Sequence, residues 1–248
     1  MSQALPTTRD EEWRYADISA LGRLAPDLGQ WKVVDIAAGE TRSHCMIVGG
    51  ASPELHRIRI TVGEGGRAEL FAVIAGEDYT RVEVEVRLAK AAHFEFGGVT
   101  IGGGDATREF VTRLDHAEPD ATSHQVVRAV HWDQSTGNFL GRIHVARDAQ
   151  KTDAAQDFKA LLLEKGATAN ARPELEIYAD DVKCAHGAAI GQMDEAARFY
   201  MASRGIAPDV AKQLLIRAFI GDAFTALADE AEQERLQNAA LASLEARA

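Results

Sequence analysis

Between Tyr79 and Leu88 the side chains alternate without a break. Val82, Val84, Val86 and Leu88 fall on one side of an extended chain, and Arg81, Glu83, Glu85 and Arg87 on the other. A two-residue period is that of a half-buried β-strand, because successive side chains of an extended backbone point to opposite faces. His56–Val62 repeats it. Shorter runs of strand character cover Trp31–Ile36, Cys45–Val48, Ala68–Ala75, Ala92–Phe96, Arg108–Leu114, His124–Trp132, Gly141–Ala146 and Leu175–Tyr178. About ten short strands without a helix between them predict an all-β body from residue 31 to about 182.

Three architectures suit such a body: a sandwich, a barrel and a β-helix. No strict repeat length emerges, and pattern alone favours a sandwich or barrel. The glycine-rich stretches Gly63–Gly66, Gly97–Gly104 and Gly137–Gly141 read as turns. Residues 150 to 165 are ambiguous, since Ala154, Ala155, Phe158, Leu161 and Leu162 suit a helix or a buried strand equally.

The grammar changes after Met193. Asp194 reads as an N-cap for a helix over Glu195–Ser203, with Ala196, Phe199 and Tyr200 sharing a face and Gly205 ending it. Pro208 suits a first helical position. Ala211, Leu214, Leu215, Ala218 and Phe219 then form an apolar stripe. A last helix is expected from about Phe224 to Ala246, with Leu227, Ala231, Leu241 and Leu244 as its face and a polar centre at Glu230 to Asn238. At the other end, Trp13, Tyr15, Ile18, Leu21 and Leu24 give a lead-in that docks by its aromatics.

Composition narrows the function. Net charge is −11, with 38 acidic and 27 basic residues, which argues against a nucleic-acid binder. Two cysteines, Cys45 and Cys184, are too few for a disulfide framework. Met1–Trp13 has no secretory pattern, and no apolar run has the length of a membrane span, so a cytoplasmic protein without membrane contact is expected.

Familiar chemical motifs are missing. There is no phosphate-cradling Gly-x-x-x-x-Gly-Lys loop, no Gly-x-Ser-x-Gly elbow and no His-Glu-x-x-His pair. Most of the eight histidines read as surface or strand-face residues. Cys184 and His186 stand apart. In an extended segment residues i and i+2 point the same way, so thiolate and imidazole become neighbours, and both ligate soft or borderline metals. Two ligands do not close a tetrahedral site. A buried structural cysteine beside a surface histidine, half of a metal or sulfur site, and a Cys–His catalytic pair all fit the spacing. Among the carboxylates, Asp180-Asp181 and Glu174/Glu176 suit solvated turn and strand charge, or a general acid and base of a carbohydrate-acting β-helix.

One set of motifs carries a resemblance. Gly141-Arg142-Ile143-His144-Val145 is followed by Ala149-Gln150-Lys151-Thr152-Asp153-Ala154. Then come the run from Pro173 to Cys184, His186-Gly187-Ala188, Gly191-Gln192-Met193-Asp194-Glu195, Phe199-Tyr200 and Ser203-Arg204-Gly205-Ile206. Together these resemble the SufB/SufD family of iron–sulfur cluster assembly proteins. The Lys-Cys-x-His-Gly-Ala-x-x-Gly-Gln-x-Asp run, and the lack of the cysteine-rich elements of SufB, bring the chain closer to the SufD branch. Glu12-Trp13-Arg14-Tyr15 resembles that branch's aromatic lead-in.

The resemblance implies a mainly β fold, a right-handed parallel β-helix with a small C-terminal helical domain. Residues 1–30 would be a lead-in, 31–190 the β-helix core and 191–248 the helical domain. The N-terminal helical domain of longer members would be lacking. It implies a scaffold with no turnover of its own. A SufB-like subunit would pair through the terminal β strands, and a SufC-like ATPase through the C-terminal helices, with a homodimer as an alternative for the isolated chain. His186 and Cys184 match family positions at the SufB–SufD interface, where a transient Fe–S cluster or iron would be shared with the partner. Phe199, Leu215 and Phe219 are expected in the helical core ahead of a contact role.

Overall fold

The computed structural model describes residues 5–245. The predicted start of the lead-in (Met1–Ala4) and end of the last helix (Ala246) lie outside the described residues. Twelve strands follow one another: β1 (Lys32–Ile36), β2 (Thr41–Val48), β3 (Glu54–Val62), β4 (Arg67–Ile74), β5 (Thr80–Leu88) and β6 (His93–Gly102). The second half is β7 (Thr107–His116), β8 (Thr122–His131), β9 (Thr136–Val145), β10 (Asp153–Leu162), β11 (Thr168–Ile177) and β12 (Lys183–Gly191). Odd strands form one six-stranded sheet in the order β1-β3-β5-β7-β9-β11, and even strands the other, β12-β10-β8-β6-β4-β2. Every ladder is parallel.

The molecule is therefore a parallel β-solenoid, not the sandwich or barrel that strand pattern alone favours. Alternation along a strand is local and says nothing about its neighbour's direction. The repeat is also hidden, because the offset between register partners drifts from 26 residues (Lys32 and Ile58) to 32 (Thr136 and Thr168).

Parallel register stacks like positions into columns. Val34, Ile60, Val86, Leu114, Ile143 and Leu175 form one such inward column through all six odd strands. Phe94, Phe96, Phe110, Phe139 and Phe158 fill the space between the sheets, with Phe96 and Phe110 edge to face at 5.3 Å. β10 resolves the ambiguity at residues 150–165. Ala154, Phe158 and Ala160 enter the inner core while Asp157, Lys159 and Leu161 face out, so the chain is extended here and the helix reading fails.

The two outer faces differ. That of the odd sheet carries the charges of the alternating pattern, and the lead-in lies across part of it. A 3-10 turn (Glu11–Trp13) and α1 (Ile18–Arg23, capped by Asp17) bury Trp13, Ala20, Leu21 and Leu24 against Tyr79. Trp13 stacks on the Arg81 guanidinium at 3.8 Å, and Arg81 pairs with Glu109 at 3.1 Å. This cover leaves Arg81, Glu83 and Glu109 fully buried, where alternation alone would leave them in water.

The outer face of the even sheet has a large apolar part, and the C-terminal helices follow it in the chain: α2 (Glu195–Ser203), α3 (Pro208–Gly221) and α4 (Glu230–Glu245), with a 3-10 turn (Asp222–Phe224) before α4. Phe71, Val73, Val99, Val126 and Val130 form one cluster with Ile216, Ile220, Phe224, Leu236 and Leu241. α3 turns Ile216 and Ile220 inward, leaving Leu214 and Ala218 exposed, so the buried stripe is rotated from the expected one. α4 begins at Glu230 rather than Phe224, behind an Asp229 cap, and buries Leu236 from the stretch expected to be polar, while Ala231 stays exposed. α2 has the predicted span and Asp194 cap but buries no residue, and Phe199 is 77% exposed, so the expected core role of Phe199 is overturned. Among the described residues no helix is long and apolar enough to cross a membrane.

Gly97, Gly98, Gly137 and Gly141 lie inside strands, not turns. A Cβ at Gly97 would collide with the Ala223 carbonyl and the Phe71 ring, so its glycine lets the segment before α4 lie on the sheet. Gly97→Ala should therefore destabilise the chain by about 1–3 kcal/mol. Urea unfolding followed by circular dichroism measures this; an unchanged midpoint would show that the contact is soft.

Candidate functional site

β12 is the last strand of the even sheet, and β11 the last of the odd one. Each therefore presents one unpaired main-chain edge at the same end of the solenoid. β12 pairs with β10 so that Ala154 aligns with Cys184, Gln156 with His186, Phe158 with Ala188 and Ala160 with Ile190. These β10 partners are inward residues, so Cys184 and His186 share the inward face of the terminal coil. Cys184 is half-buried and packs on the solenoid core, whereas His186 is exposed at the open end. Ile190, Ile177 and Tyr178 are exposed beside them. Small residues make up most of Lys183–Gly191, which hides this strand from a reading based on bulky alternation.

Burial raises the Cys184 thiol above the usual range, and the Asp153 carboxylate adds to it, while a hydrogen bond involving the Ala154 backbone acts in the opposite sense. A nucleophilic cysteine needs the reverse, so the isolated chain does not activate this thiol. Among the described residues no group of three or more His, Cys, Asp or Glu is arranged to hold a metal ion. Cys184 and His186 are two donors on an open edge without a third donor of those types.

The other expected residues are placed as follows. Cys45 lies on β2, at the far end of the even sheet, five strand spacings or roughly 24 Å from β12, too far to bridge to Cys184. Its thiol is pushed up to about 11 by burial and the neighbouring Glu232. Glu174 is held by Arg172 at 2.6 Å and Glu176 accepts a hydrogen bond from the Tyr178 hydroxyl at 2.7 Å. Asp180 and Asp181 lie in the turn before β12.

Two of the eight histidines are fully buried. His116 bonds Ser123 at 2.9 Å, and burial holds its pKa down at about 4. His131 lies between Thr100 and Ser135, each at 3.0 Å, with its pKa lowered by burial to about 3. Both sit at strand ends where the chain turns between sheets, a position no local pattern marks.

With this geometry, residues 39–219 match the family described as "SUF system FeS cluster assembly, SufBD core domain". The chain belongs to the SufBD core family. Among its relatives, the iron–sulfur cluster assembly protein SufD of Escherichia coli is 40% identical over 125 residues, half of this chain and 30% of that protein. An iron–sulfur cluster assembly SufBD family protein of Synechocystis is 32% identical over 174 residues, 70% of this chain and 38% of that one. SufD of Bacillus subtilis is 30% identical over 138 residues, 56% and 32%. The chain thus spans well under half of the length of these SufBD relatives.

The thiol environments give a direct check. At pH 8.5 iodoacetamide should label Cys184 before Cys45, and both more slowly than in the urea-unfolded chain, with Cys45 slowed by about tenfold or more. Peptide mass spectrometry reads the rates. A folded-state Cys184 faster than its unfolded counterpart would contradict the assignment of a protonated, partly buried thiol.

Proposed function

We propose that this chain is the SufD-like scaffold subunit of an iron–sulfur cluster assembly complex, and that its terminal coil is half of the assembly site. The observation that carries this reading is the open end itself. Two unpaired strand edges lie side by side there, with Cys184 and His186 on the inward face of the last strand. A SufB-like solenoid presenting the same kind of edge would continue both sheets across the junction, and open edges recruit strands for that reason. The nascent cluster is cargo, held between His186, Cys184 and donors of the partner. Imidazole and thiolate are both iron ligands, and a site split between chains is easier to unload than four cysteines of one chain.

The second partner is a SufC-like ATPase. α2 and the outer side of α3 support that contact, because Phe199, Tyr200, Val210 and Leu214 are exposed apolar residues on adjoining helices. Nucleotide chemistry belongs to that partner, as this chain carries no phosphate loop. On this reading the chain turns over no substrate of its own and works in the cytoplasm. The names of the relatives support the SufD-like assignment.

Co-expression with the SufB-like and SufC-like proteins of the same organism is expected to give one complex. His186→Ala should keep the fold and the complex yet lose cluster delivery to a client enzyme. Failure of the three chains to associate would sink the partner assignment, and full cluster delivery by His186→Ala would sink the site. An isolated chain eluting as a dimer would report that the open end pairs with itself when no partner is offered.

A further inference from the structure

The inward column that ends at His186 changes character half-way along the solenoid. Its members, in register from β2 to β12, are His44, Leu70, Phe96, Gln125, Gln156 and His186. The next column, Met46, Ala72, Gly98, Val127, Phe158 and Ala188, stays free of polar side chains to the end. Opposite, on the odd sheet, Ile58 and Val84 are followed by Thr112, Gly141 and Pro173. The two columns meet, since the Gln156 side-chain Nε2 donates to the Gly141 carbonyl at 3.4 Å and the Glu174 carbonyl at 3.3 Å. Gly141 has no side chain where a Cβ would collide with Gln156 Oε1.

Polar atoms in this half of the core are short of partners. Gln125 is fully buried with neither Nε2 nor Oε1 hydrogen-bonded, Gln156 is 2% exposed with Oε1 free, and Thr112 is 1% exposed with Oγ1 free. Buried polar groups are paired in the great majority of cases, and aliphatic residues would fill these places at less cost. Packing gives no reason for two glutamines here, as Phe96 and Leu70 occupy the same column one and two coils earlier. What distinguishes the polar half is that it runs to His186.

We propose that this polar thread positions His186, with the Gln156 carboxamide as the group next to the ring. Two main-chain carbonyls fix the Gln156 amino group, which leaves its oxygen as an acceptor with no donor, one strand from the imidazole in register. A ring N–H donated into the thread, directly or through one water, holds the imidazole in one tautomer. The other ring nitrogen then keeps its lone pair toward the open end, the form a metal ligand needs. Gln156 is thus a positioning residue and touches no cargo. The role rests on the proposed assembly site, but the orientation of the ring does not.

The experiment uses the full chain with 15N-labelled histidine, the His186 signals being assigned by their loss in His186→Ala. The wild type should show one dominant His186 tautomer. Gln156→Met keeps the side-chain length, removes the amide and should leave the melting temperature unchanged or higher. It should shift His186 to a mixed tautomer population. Gln156→Glu is the second variant and should keep one dominant His186 tautomer, because a carboxylate oxygen accepts from the ring N–H as the carboxamide oxygen does. Identical ring-nitrogen shifts in wild type and Gln156→Met would overturn the proposal. Cluster delivery in the reconstituted complex separates the two readings. If His186→Ala still delivers clusters, the assembly site is wrong while the tautomer result stands. If only the tautomer result fails, the site survives without its positioning residue.

Discussion

The rest of the molecule follows from the stacking of parallel strands in register. Each coil sets its inward side chains on those of the coil before, so the core is a set of columns and its stability is built up between neighbours. A stack of this kind has no closing contact. It must end in two open coils, each with unpaired peptide groups and an exposed slice of core. The two ends are treated differently here. At β1 and β2 the inward positions include Lys32 and Arg42, charges that discourage another strand from pairing. At β11 and β12 they are Leu175, Ile177, Cys184, Ala188 and Ile190, with His186 among them. One end carries inward charge, and the other does not.

The same logic assigns the outer faces. Charged ladders such as Arg59–Glu85–Arg113 make the outer face of the odd sheet self-sufficient in water, and the lead-in covers only the part where Arg81 and Glu109 need Trp13 and Tyr79. The outer face of the even sheet is Phe71, Val73, Val99 and Val126, which cannot stay wet, so α3 and α4 are obligatory cover. Arg128 ties that cover to the sheet by pairing with Asp157 on β10 and Asp222 in the turn after α3. α2 lies outside this arrangement and buries nothing, which leaves its apolar side free.

How far the sequence reveals this depends on which faces an element shows to water. β3 and β5 are legible because one side is charged. β10 is less so, because polar Gln156 stands in its inward row and apolar Leu161 in its outward row, so residue type does not separate cleanly by face. Gly97 and Gly137 read as turns because a strand glycine answers to what lies against it, here Ala223 and His131, and such neighbours come from distant sequence. His116 and His131 escape notice for the same reason. At the site, two-residue spacing is enough to put Cys184 and His186 on one face. It cannot say that this face points into the solenoid, nor that β12 is an edge, since both are properties of the stack.

On the proposed function, an edge site would also explain why a poor thiolate is useful there. Cys184 holds its proton because it is half-buried near Asp153, so the open chain presents a weak nucleophile and a weak ligand. A second solenoid docking on β11 and β12 would bury the thiol further and hold the proton more firmly still. Only a cation arriving at the junction reverses this, since metal binding displaces the proton and favours the deprotonated ligand. On the proposed function, loading would require partner and iron together, and release of the cargo would return Cys184 to its resting thiol. His186 differs in kind, as an imidazole ligates through a ring-nitrogen lone pair whereas a thiol must first lose its proton. On that function the pair would divide the work, the histidine binding first and the cysteine following once the charge is in place.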